Sequence, residues 1–299
     1  MKKIVVIGGG TGSFNILSGL KNFDFELTSI VSMMDSGGST GILRDEFGIL
    51  PPGDVRQCLV ALSDSPLMRK LFEYRFSKGK TLNGHSMGNL LLTALKEITG
   101  SEDEAILKAS EILRIKGKVL PITMDNCHLG AELQNKKIVI GESKIGKEKV
   151  NKIFLTKKAK IFYYSKKAIL NADFIILGPG DFYTSIVPNL LVKGVTSAIK
   201  TSKAKIIFVC NIMTKGETKN FKASDYVKEL SKYLKNKPDF VLMNNKKPSN
   251  KIIERYKKEG SEFVAPDYEG IKKDFLRRTD YARHDSNKLA KEIFQITSY

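Results

Sequence analysis

The 299-residue chain has no tryptophan, three cysteines, three histidines and 9 prolines. Cys58, Cys127 and Cys210 are odd in number and form no CxxC pair. That excludes a disulfide scaffold and a cysteine zinc site, and fits reduced thiols in a cytoplasmic protein. The histidines lie too far apart in sequence to argue metal ligation, and no GxSxG nucleophile elbow is present; neither a zinc centre nor a serine-hydrolase triad is indicated. No apolar run approaches the ~20 residues of a bilayer span. The run Ile4–Ile7 after the basic start ends in Gly8-Gly9-Gly10, too short for the core of a signal peptide. Arginine is also scarce: only nine of the 50 basic residues, leaving 41 lysines in a chain of net charge +18. Nucleic-acid readers place arginine on base edges and aromatics under bases. With no basic-aromatic stripe, the charge reads as a solvated lysine surface, and nucleic acid is not an expected partner.

What remains is an ordinary globular composition, 41% hydrophobic and 27% charged, long enough to bury a large core. Lys3–Ile7 is a β-branched run of strand length, followed by glycines and a helix from Ser13 to Leu20; Leu27–Met34 then supplies the second strand of a βαβ unit. Pro51-Pro52-Gly53 breaks the chain before a run of helices reaching Leu113, with Asp54 a candidate N-cap. Lys118–Thr123 reads as a strand. From about 125 to 160 the pattern changes to short alternating pieces, such as Lys137–Ile140, expected to form a small β-rich insertion. Alternation then resumes with strands Ala172–Leu177, Lys205–Val209 and Phe240–Met243 and helices Ser165–Leu170, Val187–Ser197, Asp225–Leu234 and Asn287–Ile296. Asn244–Lys251 reads as a lysine-rich surface connection. The pattern predicts one domain over 1–299, a Rossmann-like, doubly wound α/β fold with a mostly parallel sheet and helices on both faces.

Gly8-Gly9-Gly10-Thr11-Gly12 follows a strand and opens a helix, so its backbone N–H groups and the helix dipole favour an anion, phosphate above all. The strict GxGxxG fingerprint is absent, because Ser13 or Asn15 stands where the third glycine belongs. Asp35 lies 23 residues after Gly12, near the position of a Rossmann acid that accepts ribose hydroxyls, and begins a second glycine loop carrying Ser39 and Thr40. Gly178–Ser185 sets hydroxyls at a further strand end, where Thr184 and Ser185 serve either as helix caps or as ligand contacts. Asn89, Asn189 and Asn211 are candidate hydrogen-bonding groups, Lys215 a point charge for phosphate, Arg283 a planar fork for a diphosphate, and His85 a candidate general base.

Taken together and in order, the loops Gly8–Gly12 and Asp35–Gly41, Pro51–Arg56, Gly84–Leu90, Leu177–Ser185, Asn211–Thr218 and Arg283–Asp285 resemble the YvcK gluconeogenesis factors of the CofD-like superfamily almost end to end. The resemblance implies a Rossmann-like fold and a cytoplasmic regulator that binds UDP-sugars such as UDP-N-acetylglucosamine. It also implies a role in envelope-precursor supply and cell shape on gluconeogenic carbon sources, exercised through other proteins. The CofD branch implies instead a magnesium-dependent transfer of phospholactate to a deazaflavin. Where many relatives carry paired acids, this chain has Asp35-Ser36, and one carboxylate is a poorer magnesium site than two. Relatives' Thr-Gln-Pro-Gly-Glu-Thr is here the shorter Thr214-Lys215-Gly216-Glu217-Thr218.

The expected ligand is thus a UDP-sugar or NAD-like nucleotide held by Gly9, Gly10, Thr11, Gly12, Asp35, Ser39, Thr40, Asn89, Asn189, Asn211 and Arg283. No catalytic residue, resident metal or obligatory cofactor is assigned; magnesium enters only with the transferase alternative. Expected partners are a regulated metabolic enzyme and further copies of the chain.

Overall fold

The structure is a computed structural model that describes residues 1–145 and 149–298. The first half runs β1 (Lys2–Gly8), α1 (Gly10–Leu20), β2 (Phe25–Val31), α2 (Gly38–Phe47), α3 (Pro52–Leu62), α4 (Pro66–Glu73), α5 (Met87–Thr99), α6 (Glu102–Leu113) and β3 (Lys118–Pro121). A small excursion follows: β4 (Leu129–Leu133), β5 (Ile138–Ile140), α7 (Glu142–Ile145) and β6 (Val150–Leu155). The second half runs α8 (Tyr163–Leu170), β7 (Phe174–Leu177), a π-helical turn (Phe182–Ile186), α9 (Val187–Leu191), α10 (Val195–Thr201) and β8 (Lys205–Val209). It closes with a 3-10 turn (Gly216–Thr218), α11 (Ala223–Leu234), β9 (Phe240–Asn244), α12 (Asn250–Lys258), β10 (Ile271–Lys273) and α13 (Ser286–Thr297).

Seven strands form one parallel sheet in the order β10-β9-β8-β7-β1-β2-β3. Its centre is set by sequence: Ile4–Gly8 and Phe174–Leu177 are buried at every position. Because successive strand residues point to opposite faces, such a strand has both faces covered, as the parallel architecture requires. Ile7 lies opposite Ile30 on one side and Leu177 on the other. Helices α1, α3 and α13 pack together, as do α8, α9, α10 and α11. The excursion is a separate antiparallel sheet, β5-β4-β6, within the 125–160 stretch expected to be β-rich.

Several elements differ from the sequence pattern. The second glycine loop is short, because Gly38 opens α2, where a glycine run had masked a helix. Val187–Ser197 is not one helix but two, parted around Gly194, whose φ of 101° no helix interior allows. The lysine-rich connection ends in α12, whose apolar face buries Ile252, and an edge strand, β10, follows. Asp54 is not the N-cap of α3: Pro51 is, with Asp54 inside the first turn.

Strand order reverses direction between β1 and β7, and there the first turn of α1 touches the loop after β7. A Cβ on Gly12 would lie 1.7 Å from the Pro179 carbonyl oxygen. Alanine in a helix gains about 1 kcal/mol over glycine, whereas a Cβ driven 1.7 Å from a fixed backbone oxygen overpacks at or above the upper end of the usual range, about 3 kcal/mol. Gly12→Ala is therefore expected to lower Tm by several degrees in a thermal melt; an unchanged or higher Tm would show that the two loops are not in contact.

Candidate functional site

At a reversal of strand order in an open α/β sheet, the loops leaving the carboxyl ends part and open a crevice. Here it is a cavity of about 420 Å³ lined from every side. Gly10, Thr11 and Gly12 come from the β1–α1 turn, Asp35 from the loop after β2, and Pro179–Asp181, Thr184 and Ser185 from the segment after β7. Asn211–Lys215 follow β8, Asp54 and Gln57 project from α3, and Glu142 comes from the excursion. Tyr256 on α12 and Ala282–His284 before α13 close the remaining side.

The glycine turn is held by its neighbours. The first N–H groups of α1 have no partner inside the helix, and that of Gly10 donates to the Asp54 carboxylate. Thr11 Oγ1 lies 3.0 Å from Gln57 Oε1. Asp35 is fixed by the Gly37 N–H, which donates to Oδ1 at 2.9 Å; a side chain on Gly53 would meet Asp35 Oδ2 at 2.9 Å. Asn211 Nδ2 donates to the Gly180 carbonyl at 2.8 Å. Lys215 Nζ pairs with Asp181 at 2.6 Å, so its charge is already engaged by a carboxylate. Arg283 is exposed at the mouth, its guanidinium 5.5 Å from the Tyr281 ring centroid, with Arg255 at 5.1 Å from the same ring.

Of the residues read from sequence as binding groups, Gly10, Thr11, Gly12, Asp35, Asn211 and Arg283 line this cavity. Gly9 stands just behind it as the N-cap of α1. Ser39, Asn89 and His85 are not brought to it: Asn89 Nδ2 donates to Ser39 Oγ at 3.3 Å, and Ser39 Oγ lies 3.0 Å from His85 Nδ1. Asn89 also accepts from Arg56 Nε at 3.0 Å, so the group ties α2, α3 and α5 together. Thr40 is buried against Gly53. Asn189 donates to the Ser185 carbonyl at 2.8 Å from inside α9. Thr184 and Ser185 make no helix cap but line the cavity.

Sequence reasoning missed Asp54, Glu142, Asp181, Gln57 and Tyr256. Asp54 and Asp181 sit in the Pro51–Arg56 and Gly178–Ser185 loops that had been singled out; Glu142 and Tyr256 arrive from distant segments with no local signal. Four carboxylates thus face one cavity, and their crowding has a cost. Burial, with Asp35 nearby, raises the Asp54 carboxyl to about 7; burial and the charges of Asp35 and Asp181 raise Glu142 likewise to about 7. Glu217, buried behind Asp181, is raised to about 8. Burial lowers His284 to about 4, leaving it neutral. His284 Nε2, Asn211 Oδ1 and Glu217 Oε2 have no hydrogen-bond partner among the described residues. Orphaned polar atoms beside a cavity are the kind a ligand or water satisfies.

Residues 4–280 match the family model described as 2-phospho-L-lactate transferase CofD. A gluconeogenesis factor of Bacillus subtilis is 40% identical over 98% of this chain and 98% of its own. The chain belongs to the gluconeogenesis factor family. A Thermotoga maritima member is 47% identical over 99% of this chain and 100% of its own. The crystal structure of protein BH3568 from Bacillus halodurans superposes with a TM-score of 0.93 at 40% identity, covering 98% of this chain and 99% of that one. The chain therefore shares its fold with that protein.

The crowded carboxyls make a pH prediction. Asp54 and Glu142 ionise near pH 4 in the unfolded chain and at about 7 when folded. The folded state therefore holds extra protons between those values, and stability falls as pH rises from about 4 to about 7, levelling above. Asp54→Asn is expected to raise Tm by a few degrees at about pH 8 and to flatten the decline. An identical Tm–pH profile for variant and parent would show that Asp54 is not under charge strain.

Proposed function

We propose that this gluconeogenesis factor binds a nucleotide-sugar of the UDP-N-acetylglucosamine type in the cavity and acts as a ligand-dependent regulator. Its setting is the cytoplasm, and its role is to serve envelope-precursor supply and cell shape on gluconeogenic carbon sources. The observation that carries the reading is the meeting of the Gly10–Gly12 turn, Asp35 and Arg283 in one crevice at the β1/β7 divergence. The Thr11 and Gly12 amides, with the α1 dipole behind them, take the diphosphate. Asp35, already oriented by Gly37, accepts sugar hydroxyls; Asn211 orients the ligand, and Arg283 balances its charge. A regulator of this kind needs a ligand that binds one conformation better than another and so shifts the protein toward a partner-binding state, with a metabolic enzyme as the partner.

One observation favours group transfer as a second reading. Asp54 and Glu142, with carboxyls near neutral pH in a cleft, have the protonation behaviour of acid–base catalysts. Among the described residues, no three or more of His, Cys, Asp and Glu are arranged to hold a metal ion. Magnesium is ordinarily held by one or two carboxylates and completes its shell with water and substrate phosphates; on the transferase reading Asp35 would supply the carboxylate. No helix in the described residues is long and apolar enough to cross a membrane.

Thermal shift with UDP-N-acetylglucosamine, NAD, GTP and a deazaflavin with magnesium separates the readings. A ligand at about 100 times its Kd stabilises by about 2.7 kcal/mol, and UDP-N-acetylglucosamine is expected to do so. Stabilisation by deazaflavin and magnesium alone would overturn the regulator reading. By calorimetry, Asp35→Ala is expected to abolish binding with the melt intact, and Arg283→Ala to weaken it about tenfold, the worth of a ~1.4 kcal/mol charge-assisted contact. Affinity is also expected to rise as pH falls from about 8 to 6, because protonating Asp54 and Glu142 removes negative charge facing the diphosphate. A flat pH profile would contradict that charge balance.

A further inference from the structure

We propose that the face formed by residues 157–162, α8 and α10 is a peripheral docking surface for a bilayer of anionic lipid. The lysine excess is not spread evenly over the molecule. Residues 157–172 and 187–204 carry eight lysines and none of the chain's 32 acidic residues, and all eight lysines are exposed. The two segments form one surface. α8 packs on α10, the Ile161 N–H donates to the Lys193 carbonyl at 3.0 Å, and the Lys193 N–H donates to the Ala159 carbonyl at 2.9 Å. None of the eight pairs with a carboxylate among the described residues. The bordering acids are turned to backbone: Asp125 Oδ2 accepts from the Lys160 N–H and Asp173 Oδ2 from the Lys3 N–H, each at 2.7 Å.

Phe162, Tyr163 and Tyr164 stand among these charges, so the basic-aromatic stripe not expected from the sequence is present. Tyr163, Lys166, Lys167 and Leu170 recur at i, i+3, i+4 and i+7, one exposed stripe along α8, whose buried residues are Ser165 and Ile169. Tyr163 is 67% and Tyr164 56% exposed. Their ring centroids lie 5.3 Å apart, and those of Phe162 and Tyr164 5.4 Å, so the start of α8 presents an aromatic cluster. This stripe selects the occupant. A lipid headgroup layer offers phosphates to the ammonium groups and hydrocarbon just beneath to the tyrosine rings and Leu170, with the lysine stems spanning the two. Single-stranded nucleic acid would use the rings and the lysines but leave Leu170 without a role, and the face has no arginine for base edges. Each lysine near an anionic leaflet adds to the attraction, so a cluster of this size holds a protein at the surface without a membrane-crossing helix. No residue of these segments lines the cavity, so membrane docking and ligand binding use separate surfaces.

The test is co-sedimentation of the full chain with vesicles of phosphatidylcholine alone and of phosphatidylcholine containing one-third phosphatidylglycerol. The protein is expected to sediment with the anionic vesicles, to stay in solution with the neutral ones, and to be released as salt is raised. Lys166→Gln/Lys167→Gln is expected to weaken binding at least tenfold. Tyr163→Ser/Tyr164→Ser, which leaves the charge unchanged, is expected to weaken it severalfold. Both variants are expected to keep the parent melt, since all four side chains are exposed. Lys246→Gln/Lys247→Gln, which removes the same charge from an exposed loop elsewhere, is expected to change binding less than twofold. Equal partition onto both vesicles, binding to neither, a tyrosine variant with no loss, or an equal loss through Lys246 and Lys247 would each overturn the proposal. So would tighter retention on a single-stranded oligonucleotide or on polyglutamate than on the anionic vesicles, lost through the same α8 lysines.

Discussion

The close approach of the α1 turn to the loop after β7 is the contact on which the functional architecture depends. It exists because residue 12 has no side chain: the Pro179 carbonyl occupies the space a Cβ would need. With the two backbones in register, the strands β1 and β7 pair in parallel at the centre of the sheet, and their outgoing loops part only beyond their carboxyl ends. The crevice that results collects a glycine turn, a carboxylate from the loop after β2 and hydroxyls from the π-helical turn without any of these residues being near in sequence.

Within that crevice the dominant force is electrostatic. Amides at a helix N-terminus draw an anion, yet Asp35, Asp54, Glu142 and Asp181 surround them, and Asp54 already holds the Gly10 amide. Lys215 is committed to Asp181. Behind the site lie two buried arginines. Arg56 donates to Asn89 and toward the Phe72 carbonyl, and Arg44 donates to Asn126 and the Cys127 carbonyl. Their positive charge offsets part of the carboxylate crowding from below, while Arg283 offsets it from the mouth. The negative charge facing the cavity is therefore adjustable by protonation near neutral pH, and the affinity of the proposed anionic ligand is expected to follow that adjustment. The partly neutralised acids are also what keeps group transfer in consideration beside ligand sensing.

The central strands were legible because their signal is local: Lys3–Ile7 and Ala172–Leu177 are short β-branched apolar runs bounded by glycine, and a buried parallel strand needs nothing else. α2 was hidden because Gly37, Gly38 and Gly41 read as loop, although Gly38 and Ser39 in fact begin a helix. β10 and α12 were hidden because lysines obscure a short edge strand and a half-buried helix. In the site, the glycine turn, Asp35, Asn211 and Arg283 were read from their loops, since each stands beside a strand end or helix start. Ser39 and Asn89 carried the same polar signal for a different reason: they satisfy one another across α2 and α5. Glu142 and Tyr256 gave no signal because only the tertiary fold brings the excursion and α12 to the cavity.

The most direct measurement is a crystal structure of the protein with UDP-N-acetylglucosamine. The diphosphate is expected within hydrogen-bonding distance of the Thr11 and Gly12 amides, with Asp35 on a sugar hydroxyl and Arg283 turned to the phosphates. A ligand ordered elsewhere, with Asp54 still closing the glycine turn and the cavity empty, would contradict it.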